Sequence, residues 1–281
     1  MRNTQKTKPL DMLFIALLSI LTAVFLFPVF IVLINSFKGK LFISSAPFAL
    51  PTAETFVGLD NYIFGFVKSK FHMAFLYSGF ITVFSVLLIV LGTAMTAWYI
   101  TRVKSRATSI IYYLFVFSMI VPFQMVMFPM VKVANTLFLD NLVGILVLYL
   151  GFGAGLSVFM LSGFVKSIPL EIEEAATIDG CNPIQMFFRV VFPVLKPTAI
   201  TVAILNAMWV WNDFLLPNLV IGNDYKTIPV AVQGVLQGSY GDKNMGALMA
   251  MLVLAIIPII IFYLSCQKYI IKGVIAGAVK G

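Results

Sequence analysis

Four carboxylates crowd one short stretch of this chain, and a fifth stands alone in an apolar one. The crowded stretch, 167–183, holds Glu171, Glu173, Glu174 and Asp179. Pro169 suits the first turn of a helix, where a missing N–H costs nothing. Carboxylates in that turn favour the positive end of the helix dipole. Ala175 and Ala176 are small enough to let another surface approach closely, and Gly180, Asn182 and Pro183 end the helix. The spacing predicts a helix of about three turns, too polar to enter lipid. Small residues beside the acids suit docking against another surface. The plain alternative is an ordinary loop with an amphipathic helix.

A second segment follows. Ile184, Phe187, Phe188 and Val191 recur at helical spacing as an apolar stripe, with Gln185 and Arg189 on the other face. Pro193 and Pro197 are then expected to break the chain. Together, 167–196 form one insertion between two apolar blocks.

The lone carboxylate is Asp213. On a helix it shares a face with Asn206 and Trp209, with Asn212 at the edge of that face. An indole beside amides and a carboxylate suits a sugar, which offers an apolar C–H face and a rim of hydroxyls. The competing reading is a buried hydrogen-bond anchor between helices. Gln124, polar in another apolar block, is a further substrate-path candidate. A carboxylate within a membrane is costly and usually faces a cavity or a polar partner.

Other chemistry is excluded. The chain has no Gly-x-x-x-x-Gly-Lys-Ser/Thr motif, so ATP hydrolysis would have to come from elsewhere. Gly151 and Gly155 lie within an apolar block and are expected to pack helices closely rather than cradle phosphate. His72 begins an apolar block and is expected at headgroup level, since metal and proton-relay sites usually need partner ligands. Cys181 and Cys266 fit no disulfide or metal pattern. No metal site is expected, and the chain is expected not to be an enzyme.

The elements that must position these groups are membrane spans. Of 281 residues, 61 % are hydrophobic and 11 % charged, far from the balance of a water-soluble domain. The apolar residues come in blocks long enough to cross a hydrocarbon core. Six spans are expected, over 12–36, 73–101, 108–133, 141–165, 197–221 and 245–270. Pro28, Pro122, Pro129, Pro217 and Pro258 are expected to kink them. The first block is too long for a cleaved leader and reads as an uncleaved span. The fold class is all-α: a polytopic transmembrane helical bundle, one domain over 1–281. The alternation needed for a membrane β-barrel is missing.

The net charge of +8 does not indicate nucleic acid, because the cations are dispersed at span ends. Twelve of them gather on one side, including Arg2, Lys6, Lys8, Arg102, Lys104, Arg106, Lys166, Arg189, Lys196, Lys268, Lys272 and Lys280. Lys38, Lys40, Lys68, Lys70, Lys132, Lys226 and Lys243 fall on the other. The richer side is expected to be cytoplasmic, with both termini inside. Segments 37–72 and 222–243 then lie outside, carry loop chemistry, and are placed to meet an extracellular partner.

The pattern Glu174-Ala175-Ala176, then Gly180, then Val190-Val191-Phe192-Pro193 resembles the EAA motif of ABC importer permeases. Val190 and Phe192 stand where the family has Ile and Leu; the spacing is kept. Val121-Pro122-Phe123-Gln124, Trp211-Asn212-Asp213-Phe214-Leu215-Leu216-Pro217 and the tail from Gly273 to Gly281 are similar to the carbohydrate-uptake, maltose-permease-like branch. The resemblance covers nearly the whole chain. It implies a permease subunit in the bacterial cytoplasmic membrane, with no cofactor of its own. Its partners would be a second homologous permease, two ATP-binding cassette subunits carrying ATP and Mg, and an extracellular solute-binding protein. Glu173, Glu174, Ala175, Ala176, Asp179 and Gly180 would couple it to the ATPase. The tail would pack on the ATPase too. Glycerol phosphate is an alternative substrate, though the spans lack a cationic cluster for phosphate. A secondary transporter, which would need more ionisable groups in its spans, is the other alternative.

Overall fold

The computed structural model describes residues 9–222, 224–238 and 243–278, with Pro9 and 270–278 described by backbone only. In chain order the helices are α1 (Pro9–Asn35), α2 (Lys40–Ser45), α3 (Asp60–Val67), α4 (Phe71–Arg102), α5 (Arg106–Ser118), α6 (Phe123–Thr136) and α7 (Gly144–Val165). Then follow α8 (Leu170–Ile178), α9 (Pro183–Gln185), a π-helical turn (Met186–Val191), α10 (Phe192–Asn212), α11 (Leu215–Val220), α12 (Ile228–Gln237) and α13 (Met245–Ala278). The described residues contain no strand, only an isolated bridge between Lys38 and Phe56. The cations Arg2, Lys6, Lys8, Lys272 and Lys280, and the tail from Gly273, lie outside the residues whose side chains are described.

Five helical stretches are long and apolar enough to cross a membrane, and a sixth span results if α5 and α6 count as one. That pair is where the structure departs most from the expected span at 108–133. Its two helices meet at 111°. Pro122 caps α6 in an extended conformation, so the chain turns instead of kinking. Helices do run through Pro28, Pro129 and Pro258. The expected break at Pro193 and Pro197 is also absent, since Pro183–Asn212 forms one continuous stretch. The π turn immediately before Pro193 widens the backbone ladder where a proline cannot donate.

The chain forms two compact units. One holds the chain up to Phe71 with Ala231–Pro258. Within it the segment expected as loop, 37–72, is ordered. The Asn61 amide donates to the carbonyls of Ser36 and Lys38, each at 2.8 Å, and Tyr62 Oη pairs with Ser36 Oγ at 2.7 Å. Asn61 also fills the space beside Gly246, and Gly65 lets α3 close on Met251. Lys38 is 1 % exposed, its ammonium donating to the Ala46 carbonyl at 3.0 Å. Burial pulls its pKa below the ordinary lysine value.

The other unit holds His72–Val230 and the chain from Ile259. Its middle is α7, whose most apolar window is 56 % enclosed. Glycine makes that position possible. A Cβ at Gly153 would lie 2.7 Å from both Asn206 Oδ1 and Ile89 Cδ1. One at Gly155 would lie 2.8 Å from the Phe115 carbonyl of α5. Gly151, expected to share the Gly155 packing face, has open space beside it. The small residues that pack are thus two apart, not four, because α7 is covered on two sides. One core cluster joins α4, α7, α8, the π turn and α10 around Phe187, Leu161 and Leu195. A second surrounds Tyr149, Ile145 and Leu216. Many apolar side chains outside these clusters remain exposed, including Phe25, Leu114, Phe128 and Ile261. An exposed apolar surface of this extent is suited to lipid or to partner subunits.

Candidate functional site

The helix predicted from the carboxylate cluster is α8. Pro169 is its N-cap, and Glu171 and Glu173 lie in its first turn. It ends at Gly180, which has φ of +80°, a conformation that an L side chain rarely adopts. Cys181 N–H reaches the Ala176 carbonyl and Gly180 N–H the Thr177 carbonyl, both at 3.0 Å. These two bonds form a Schellman ending, so the need for glycine is local and backbone-based.

The two faces of α8 are differently used. Glu173 and Ala176 turn inward, each 8 % exposed. Ala176 packs in the cluster around Phe187, leaving its small size to serve the protein's own core. Glu173 Oε1 accepts from Arg102 Nε at 2.8 Å and lies 2.7 Å from Arg102 Nη2. Trp98 Nε1 donates to Glu173 Oε2 at 2.9 Å. Arg102 Nη2 also donates to the Ile168 carbonyl at 3.0 Å. Both carboxylate oxygens are therefore held by charged or aromatic donors from the last turns of α4. Glu174, Ala175, Asp179 and Gly180 remain exposed, and Ile178 is 86 % exposed.

Trp98 was not singled out from the sequence, and Arg102 was read only as a cation at a span end. Their signal is the four-residue spacing, which puts an indole N–H and a guanidinium on one face at a span end. Only the fold reveals that this face meets α8.

At Asp213 the geometry differs from the expected mid-helix position. α10 stops at Asn212, and Asp213 is its C-cap with extended backbone. One carboxylate oxygen accepts the Leu215 N–H at 2.9 Å, organising the start of α11. The other accepts from Tyr149 Oη at 3.0 Å. The helix ends there because the side chain competes for backbone donors ahead of it. The Tyr149 ring, fully enclosed, meets the Trp209 ring edge-on with centroids 5.4 Å apart. Tyr149 of α7 thus links Asp213 to Trp209 although Asp213 has left the helix face. The sequence signal for Tyr149 was a phenol in the middle of an apolar span, where its O–H must find a partner.

Asn206 is 6 % exposed and donates to Ser157 Oγ at 3.1 Å and to the Val202 carbonyl at 2.9 Å. That is an interhelical anchor between α10 and α7. Asn212 is exposed and donates back to the Met208 carbonyl at 2.7 Å. Gln124 is exposed at the start of α6, just past the bend. The structure brings together Trp209, Asp213 and Tyr149, with no hydrogen bond or ring contact among the described residues joining Gln124 to them.

Residues 88–276 match the family described as binding-protein-dependent transport system inner membrane component. Among curated relatives, the probable starch degradation products transport system permease protein AmyC of Thermoanaerobacterium thermosulfurigenes is 39 % identical, covering 93 % of this chain and 94 % of the relative. The multiple sugar-binding transport system permease protein MsmG of Streptococcus mutans is 37 % identical over 91 % of this chain and 92 % of its own length. The fold is similar to that of a bacterial ABC transporter involved in import of the acidic polysaccharide alginate. That match has a TM-score of 0.77 and 22 % identity, covering 95 % of this chain and 99 % of the other. An outward-facing polar helix carried on a bundle of apolar spans, and these matches over most of the length, agree: the chain belongs to the family of binding-protein-dependent transport system inner membrane components.

Proposed function

We propose that this chain is a multi-pass permease subunit of an ATP-driven importer in the bacterial cytoplasmic membrane, and that its solute is a sugar or oligosaccharide. It contributes half of the path as one permease domain. A second homologous permease, two ATPase subunits with ATP and Mg, and an extracellular solute-binding protein complete the assembly. The printed names of AmyC and MsmG support the sugar class. Related in fold, the alginate transporter has also been crystallised with a pentasaccharide-bound periplasmic protein. The excess of cations beside the Arg102–Arg106 turn supports cytoplasmic termini.

The observation that carries the coupling role is the division of α8. Its inner face is fixed to α4 through Glu173, while Glu174, Ala175, Ile178 and Asp179 are left exposed. A helix held this way moves with its bundle as a rigid body, and its free face suits docking into a cleft on the ATPase. Ile178→Asp and Glu174→Ala should lower sugar-stimulated ATP hydrolysis in the reconstituted complex while expression and insertion stay normal. Unchanged stimulation in both variants rejects the docking face. Ala176→Arg is a poor probe of docking, since that side chain would have to enter the core.

For the path, Trp209 offers a partly exposed indole beside the Tyr149–Asp213 pair, a surface suited to a sugar ring and its hydroxyls. Trp209→Cys and Asn212→Cys should react with a water-soluble thiol reagent in one of the resting and ATP-trapped states. Asn206→Cys should stay protected in both. Absence of labelling at 209 and 212 in both states argues for a structural role alone. Calorimetry of the cognate binding protein with candidate sugars identifies the solute.

A further inference from the structure

A cavity of about 850 Å³ opens beside the turn between α4 and α5 and the end of α7; it neighbours the Arg102 end of α4 but is lined by neither Arg102 nor Glu173. Lys104, Arg106 and Lys166 line it, together with the hydroxyl groups of Ser105 and Ser109. No Asp or Glu does. Ser162, 1 % exposed, also lines it, and its hydroxyl has no hydrogen-bond partner among the described residues. A buried hydroxyl left without a partner is uncommon and calls for an acceptor or donor from outside the chain.

The cavity is built for an anion. Ser105 caps α5, accepting the Thr108 N–H at 3.1 Å, while Thr108 Oγ1 accepts the Ser105 N–H at 3.1 Å. This reciprocal box fixes the turn, and the first residues of α5 line the same space as the cations. Lys166 Nζ lies 5.5 Å from the centre of the Tyr112 ring, and both residues line the cavity.

The wall of the cavity is amphipathic. Ile110, 59 % exposed, and Tyr113, 68 % exposed, continue from it along the outer face of α5, followed by Leu114 and Phe117. A free anion would have no use for such a strip. A phospholipid would lay its acyl chains there, with its phosphate among the cations and hydroxyls and tyrosines at headgroup depth. We propose that this cavity binds the phosphodiester headgroup of an anionic phospholipid from the leaflet that faces the Arg102–Arg106 turn. In the orientation proposed above this is the cytoplasmic leaflet, whose anionic lipids attract juxtamembrane cations. The inference rests on the membrane reading of the chain and not on the identity of its solute.

Native mass spectrometry of the complex, as purified from its own membrane, tests this directly. Phosphatidylglycerol should remain bound in preference to phosphatidylcholine, and the combined K104Q, R106Q and K166Q substitutions should remove that preference. Ser162→Ala, a smaller change, should weaken retention while leaving the assembly intact. A phosphatidylglycerol with a photoreactive group near its headgroup should label residues 104–113 and 166. Equal retention of both lipids by the unaltered complex would overturn the proposal. So would displacement of the lipid by inorganic phosphate alone, which would make this a site for the free anion. Cross-linking of Ser109→Cys to a neighbouring protein chain that fills the cavity would also overturn it. None of these outcomes depends on sugar binding, so a wrong solute assignment would leave the test intact.

Discussion

Glu173 and Asp213 are both partly enclosed carboxylates, held by opposite means. Glu173 faces a guanidinium and an indole N–H, so its charge is compensated and both oxygens are occupied. Asp213 faces a phenol and backbone N–H groups, all neutral, so its oxygens are hydrogen-bonded without an opposite charge beside them. The difference suits different tasks. In the proposed coupling role, a compensated pair would resist separation and carry motion between α8 and α4. In the proposed path, a carboxylate without an opposite charge, beside a partly exposed indole, would exchange a protein partner for a ligand hydroxyl.

The sharpest way to break the comparison is to truncate each carboxylate. Glu173→Ala strands Arg102 and frees Trp98; with both groups slightly exposed, the loss should be about 2–4 kcal/mol. It should appear as a lower unfolding temperature of the detergent-solubilised complex and as loss of transport. Asp213→Ala should cost less, about 1–3 kcal/mol, because it leaves a neutral buried hydroxyl rather than a charge. Transport should fall further than this stability change explains. An Asp213→Ala variant as unstable as Glu173→Ala would erase the distinction.

Finer cuts follow. Tyr149→Phe removes one hydrogen bond and keeps the ring against Trp209, so about 1 kcal/mol is expected. A shift in the apparent affinity for sugar, larger than the change in maximal rate, would place Tyr149 in the path as well as in the packing. The smallest stability effect belongs to Glu174→Ala, within about 0.5 kcal/mol, as for other exposed positions. Its sugar-stimulated ATP hydrolysis should nevertheless drop. Adjacent glutamates would then differ cleanly, one maintaining structure and its neighbour coupling.

This contrast between neighbours was not legible in the sequence. Glu173 and Glu174 read as equivalent members of an acidic first turn. Which one is buried depends on where α4 ends in space. Ala175 and Ala176 behave the same way, the first exposed and the second in the core. A motif gives residue types at fixed spacing, whereas the face that turns inward is chosen by the neighbouring helix.

What the sequence determined by itself rests on local or near-local physics. Runs of apolar residues long enough to cross a membrane set four helices, α1, α4, α7 and α13, close to their expected positions. The polar first turn and the glycine at 180 set α8, because dipole and left-handed backbone requirements act within a few residues. The tertiary structure alone decided the 111° bend at Pro122, the π turn that carries the helix through Pro193, and the withdrawal of Asp213 from its helix. It also decided the partners Trp98, Arg102 and Tyr149. A proline removes a donor at a known place, but whether the chain kinks, turns or widens depends on what satisfies the freed carbonyls. A buried carboxylate likewise requires partners that the sequence cannot name, since they come from helices 64 to 75 residues away.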